Sequence, residues 1–134
     1  MRAVLDTNIF VSALALPGGE AEKAVLAAAD GRFELVISQP IVHEVLGVLA
    51  RKFGRDAEEL ARVALFLSEL GGMVRPRRKL RILRDEPDNR ILECAVAGRA
   101  DLIVTSDRAL LELREHAGIQ VVTLREFLDR LEQK

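Results

Sequence analysis

Leu102-Ile103-Val104-Thr105-Ser106-Asp107 is a short apolar run that stops on a carboxylate, and Ala3-Val4-Leu5-Asp6 is a second one. Unbroken apolar runs of this length suit strands covered on both faces, as in a parallel sheet. Strand candidates lie at residues 2–5, 34–37, 73–75, 102–105 and 120–122. Between them the apolar spacing turns helical. Residues 7–14 stop at Pro17-Gly18-Gly19, and 20–30 end at Gly31. Residues 39–53 have Pro40 in their first turn and Gly54 just past their end, a matched start and stop. Residues 56–70 place Leu60, Val63, Leu67 and Leu70 on one face. Residues 88–97 close at Gly98, a helix capped by Ser106 or Asp107 runs through Glu115, and 124–131 form the last helix. Strands alternating with helices at this spacing predict an α/β domain on a parallel sheet, three layers deep, with 1–134 as a single domain.

The 134 residues carry 20 basic and 21 acidic side chains for a net charge of −1. That balance gives no global pull on nucleic acid, so any such binding rests on a local patch. The hydrophobic fraction of 49% excludes a disordered chain. With no Trp or Tyr, the core is built from Leu, Val, Ile and Ala. A single cysteine, Cys94, rules out an internal disulfide and fits a reducing cytoplasm; among apolar neighbours it reads as a small buried hydrophobe. No signal-peptide pattern and no membrane-length apolar run is present.

Four acids fall at telling places. Asp6 and Asp107 end strands, Glu44 lies one turn into the helix after the second strand, and Asp88 opens the helix before the fourth. In an open α/β sheet all four points map to the carboxyl ends of the strands, the edge where such folds bind ligands. Each acid has a plainer reading taken singly: a helix cap for Asp6, Asp88 and Asp107, an exposed helix residue for Glu44. Taken together they conflict with stability. Two carboxylates about 4 Å apart repel by about 4 kcal/mol at an effective dielectric near 20. A hard divalent cation, Mg²⁺ or Mn²⁺, converts that repulsion into attraction, and all-oxygen ligation suits those ions rather than zinc. His43-Glu44 opens like a zinc-protease motif, but Gly47 stands where the second histidine belongs.

Val4-Leu5-Asp6-Thr7-Asn8, Val42-His43-Glu44-Val45, Asp85-Glu86-Pro87-Asp88-Asn89 and Ile103-Val104-Thr105-Ser106-Asp107, in that order, resemble the PIN-domain ribonucleases, and among them the VapC-like toxins of toxin–antitoxin pairs. The likeness covers essentially the whole chain. It implies a single PIN-like nuclease domain with a five-stranded parallel sheet in the order 3-2-1-4-5. It implies an Mg²⁺- or Mn²⁺-dependent endoribonuclease leaving 5′-phosphate ends. Asp6, Glu44, Asp88 and Asp107 then form the catalytic and metal-binding quartet, with Thr7, Asn8 and Ser106 in support. Two departures weaken an auxiliary second metal position: many relatives carry an acid where Pro87 stands, and another where Arg108 and Ala109 follow the last motif.

An acidic pocket needs cations nearby to hold RNA. The segment from Arg75 to Arg84 leads straight to the acids, so Arg77, Arg78, Lys79 and Arg81, with Arg90 and Arg108, are expected at the site mouth; Lys52 and Arg55 could add phosphate contacts. The resemblance further implies a homodimer and an antitoxin partner. Helix 56–70 and the apolar stretch from Phe10 to Leu16 are the contact surfaces to inspect. Two other readings stay open. One is a non-catalytic PIN-like binding module. The other is a receiver-type phosphoacceptor domain, which wants paired early acids and a lysine after the last strand; here Asp6 stands alone and Val122 is followed by Thr123-Leu124-Arg125.

Overall fold

The computed structural model describes residues 1–133. The chain runs β1 (Arg2–Leu5), α1 (Thr7–Ala15), α2 (Glu20–Ala29), β2 (Glu34–Ser38), α3 (Gln39–Phe53), α4 (Ala57–Leu70) and β3 (Gly72–Val74). It continues through α5 (Glu86–Ala97), β4 (Leu102–Val104), α6 (Arg108–Leu113), β5 (Glu115–His116), β6 (Ile119–Val122) and α7 (Leu124–Glu132). The sheet has the order β3-β2-β1-β4-β6-β5. Its first five strands are parallel, and only the β5–β6 pair is antiparallel. The architecture is the expected three-layer α/β/α fold, with α5 packed on β1, β2 and β4 and with α1, α2 and α7 packed together.

The five parallel strands hold the order expected from the sequence, and β5 is the addition. A helix through Glu115 was the expectation. The helix stops at Leu113 because Arg114 turns to φ +63°. Ala117 and Gly118 then take φ +52° and +82°. Two consecutive positive φ values make the tight two-residue hairpin that joins β5 to β6.

The three central strands β1, β2 and β4 are buried along most of their length, as the apolar runs demand. Leu5, Ile37, Ile103 and Val104 are fully enclosed, and Phe127 of α7 meets Phe33 edge-on at a centroid distance of 4.9 Å. The α4 stripe resolves as core: Leu67 is fully buried and Leu60, Val63 and Leu70 pack against it. What α4 exposes is the other side, Leu65 and Phe66. Phe10 is likewise core, while Leu16 is exposed. Gly98 ends α5 where the helix touches the sheet most closely, for a Cβ there would meet the Val36 side chain at 2.1 Å. No helix is long and apolar enough to cross a membrane among the described residues.

Candidate active site

The register of the sheet assembles the site. Leu5 of β1 pairs with Val104 of β4, so the next residues, Asp6 and Thr105, emerge side by side at the carboxyl edge. The Asp6 amide donates to the Val104 carbonyl at 2.9 Å. The Thr105 hydroxyl donates to Asp6 Oδ2 at 2.5 Å and accepts from the Asp107 amide at 2.9 Å. Asp6 occupies the N-cap position of α1 without capping it through its side chain. Its carboxylate is held by the neighbouring strand instead, and it is only 5% exposed. The plain reading of Asp6 as a helix cap therefore fails, and that of Asp107 succeeds in part, since Asp107 Oδ2 accepts from the Leu110 amide at 3.0 Å.

Asp88 arrives from the opposite direction. α5 begins at Glu86, with Asp85 as its N-cap and Pro87 in its first turn, so Asp88 is a first-turn residue and not the cap. It is 6% exposed, and its Oδ2 has no hydrogen-bond partner. Burial raises its carboxyl to about 7, helped by the neighbouring Asp107 carboxylate and by the charges of Asp85 and Asp6. Asp6 is also pushed up, first by burial; the Thr105 hydroxyl and the Thr7 amide oppose that, and Asp107 and Asp85 add to it. Four carboxylates thus act on one another across this edge: Asp6, Asp85, Asp88 and Asp107.

Asp85 is the member the sequence reading passed over. Beginning the helix at Asp88 left Asp85 upstream of it; placed at the N-cap, Asp85 and Asp88 are neighbours across the first turn. Thr105 was passed over as well. Of the expected supporting residues, Thr7 is buried beside Asp6, where its amide favours the charged carboxylate, whereas Asn8 and Ser106 are exposed. Glu44 is half-buried. It lines a cavity of about 140 Å³ with Thr7, Glu86 and Arg90, and its charge does not figure among those acting on Asp6 or Asp88.

The basic segment folds back along α5 at residues 80–83. The Leu80 amide donates to Glu93 at 2.7 Å, and the Ile82 and Leu83 amides donate to Asn89 Oδ1 at 3.1 and 2.8 Å. Asn89 Nδ2 returns a bond to the Leu83 carbonyl. Arg77 and Arg78 consequently line a cavity with Val96 and Ala97, two helical turns or about 12 Å along α5 from Asp88. Arg90 is also committed elsewhere, to Glu93 at 2.9 Å and Glu86 at 3.4 Å. Arg108 and Arg81 are exposed, and Arg108 directly follows Asp107. Cys94 is fully buried, and burial pushes its thiol up to about 12, which makes it a packing residue.

The donor set suits a hard cation. Asp88 Oδ2 is an oxygen buried without a partner, and such an atom costs about 1–3 kcal/mol until something meets it. Among the described residues no three His, Cys, Asp or Glu side chains close tightly enough to enclose an ion unaided. Mg²⁺ keeps several waters and takes only one or two carboxylates in its usual sites, so the open arrangement matches it better than a closed protein cage.

Thr105→Val isolates the strand-to-strand bond. It removes the donor to Asp6 and the acceptor of the Asp107 amide while preserving shape. The expected result is a stability loss of about 1–3 kcal/mol in urea unfolding and a further rise of the Asp6 carboxyl. An unchanged unfolding midpoint would assign the 2.5 Å contact no energetic weight.

The chain matches the PIN domain family over residues 2–109. An uncharacterized protein of Methanocaldococcus jannaschii is 26% identical to it, over 99% of this chain and 93% of its own length. Among solved structures, VapBC2 from Rickettsia felis, bound to a DNA fragment from its promoter, superposes with a TM-score of 0.64 at 16% identity, over 92% of this chain and 98% of that one. VapBC-1 from nontypeable Haemophilus influenzae gives 0.62 at 18%, over 93% and 99%. These two likenesses speak to the fold. The family match begins in β1, ends in α6 and takes in every acid gathered at the strand edge: this chain belongs to the PIN domain family.

Proposed function

We propose that this protein is an Mg²⁺- or Mn²⁺-dependent endoribonuclease, one nuclease domain spanning residues 1–134, and the toxin of a toxin–antitoxin pair. The observation that carries the reading is the partnerless buried oxygen of Asp88 among the carboxylates of Asp6, Asp85 and Asp107. Membership of the PIN domain family and the fold shared with two VapBC structures support it.

Asp6, Asp88 and Asp107 are the residues that would hold the ion, with Glu44 reaching in from the rim through a water. A divalent ion bound there supplies Lewis acidity toward a phosphodiester and lowers the pKa of a coordinated water. The chain's own contribution is placement. Thr105 fixes the orientation of Asp6, and the Leu110 amide does the same for Asp107. The Thr7 amide, at the first residue of α1, favours the charged form of Asp6. Thr7, Asn8 and Ser106 remain the proposed polar support around the acids. Arg108, with Arg81 and Lys79, is the proposed source of phosphate contacts, because these cations are exposed and none makes an ion pair among the described residues.

An antitoxin and a second copy of the chain are the proposed protein partners, and the cytoplasm the proposed compartment. The exposed Leu65 and Phe66 of α4 are the surface we assign to self-association.

The test is cleavage of a mixed RNA pool during titration with Mg²⁺ and Mn²⁺. Ion-dependent fragments with 5′-phosphate ends, abolished by excess EDTA, are expected. Metal binding without cleavage of any RNA would leave a non-catalytic binding module in its place. Arg108→Ala is expected to weaken RNA binding across sequences and to lower the salt slope by about one. An identical slope would remove Arg108 from the RNA path.

A further inference from the structure

A cavity of about 410 Å³ lies away from the acids, between the basic segment and the second half of α5. Arg75, Arg77 and Arg78 form its rim, and Leu80, Val96 and Ala97 its apolar wall. Val96 is 41% exposed, an apolar side chain left open on the helix. Among the described residues none of the three arginines makes an ion pair. The one acid in the wall, Glu93, is already spent on Arg90 and the Leu80 amide, so the rim keeps its positive charge. The volume falls within the usual range for ligand pockets.

We infer that this cavity is a docking site for an acidic segment of a partner protein. The segment seats an aliphatic side chain against Val96 and Leu80 and pairs its carboxylates with Arg75, Arg77 and Arg78. Charge complementarity fixes the sign of the partner: three uncompensated guanidinium groups on one rim favour an anion and repel a basic chain. The wall fixes its kind. A single-stranded RNA docked for binding energy wants a row of aromatic platforms on which successive bases stack; none of the five phenylalanines lines this cavity, and His116 is the single ring in its lining. An apolar pocket of this size under a basic rim is instead matched by an aliphatic anchor flanked by Asp or Glu. The site is also set in advance, since the bonds from Glu93 and Asn89 hold residues 80–83 in place, which lowers the ordering cost of binding. The inference does not depend on the nuclease reading: along α5 the cavity begins at Glu93, about 7.5 Å from Asp88, and its apolar anchor point at Val96 lies about 12 Å away.

The experiment uses a fluorescein-labelled peptide, Asp-Glu-Leu-Leu-Asp-Glu, and the full chain, read by fluorescence anisotropy. Val96→Arg is the discriminating variant. It adds a positive charge, yet fills the space for the anchor, and on an exposed helical position it leaves the fold intact, as a thermal melt checks. If the cavity seats an aliphatic side chain, Val96→Arg weakens peptide binding by about tenfold. Exchanging the two leucines of the peptide for alanine does the same, and so does Arg77→Ala with Arg78→Ala. If attraction is by charge alone, Val96→Arg tightens binding, and the inference fails. Absence of peptide binding also overturns it. So does displacement of the peptide by oligouridylate together with equal loss of oligouridylate binding in the Arg77→Ala, Arg78→Ala protein, an outcome that gives the rim to an RNA strand. RNA cleavage by Val96→Arg is expected at the unaltered rate.

Discussion

Asp6→Asn is expected to lower Mg²⁺-dependent RNA cleavage on the order of 10³-fold while the protein stays folded. The asparagine keeps an acceptor for the Thr105 hydroxyl, so the link between β1 and β4 persists. What is lost is one negative charge at the point where the register of the two strands concentrates it. The fold gains from that loss, because burial already pushes the Asp6 carboxyl upward. Circular dichroism and urea unfolding should show a native protein at least as stable as the parent without metal. A folded variant with the parent's rate would place the chemistry elsewhere or in a contaminant, and the nuclease proposal would fall. A variant that fails to fold would be a different result, traced to the strand link, and Asp88→Asn then serves in its stead.

Asp88→Asn is expected to move stability and activity in opposite directions. The Asp88 carboxyl is raised from 3.8 to about 7 in the folded protein. A carboxyl raised by folding binds its proton more tightly in the native state than in the unfolded one. Stability is therefore fully present below about 4 and declines as the pH climbs toward 7, where the native group finally ionises. Asparagine has no such proton to lose. At pH 7.5 without divalent ions, Asp88→Asn should be more stable than the parent by about 1–3 kcal/mol, and the difference should shrink toward pH 4. Saturating Mg²⁺ should raise the melting temperature of the parent more than that of the variant, since ligand binding to the native state alone stabilises it. Cleavage should fall by about two orders of magnitude or more. A flat difference between the two proteins from pH 4 to 7.5 would show that the Asp88 carboxyl does not titrate as burial dictates.

Much of the framework was readable before any coordinates. Apolar runs ending in Asp6 and Asp107 located two adjacent strands, because a doubly covered strand has little choice of composition. Gly54, at φ +61°, ends α3 where the glycine predicted. The missing parts are those that only tertiary placement decides. Thr105 looks like any β-branched strand residue, and its role follows from pairing with a residue 99 positions away. Asp85 was hidden by a helix start assigned two residues late. Arg77 and Arg78 come to lie beside Val96 and Ala97, which their closeness in sequence to Asp85 does not announce. The polar side chains of Asn89 and Glu93 fold the segment back on α5, and a reading of charge runs carries no information on that direction. Asn89 closes the acidic stretch Asp85–Asn89, yet its three bonds to Ile82 and Leu83 make it a clamp. β5 was lost because Leu110, Leu111 and Leu113 prolong a helical pattern up to the point where Arg114 leaves helical space.

The two outermost strands are short, β3 with three residues and β5 with two. A strand border offers unpaired amides and carbonyls to any passing chain, and long flat borders seed fibrils. Here each border presents barely one repeat of that template, and Arg75 and Arg114 mark where they stop or start. The molecule should accordingly resist ordered aggregation even when crowded with copies of itself, leaving recognition to its helices and loops.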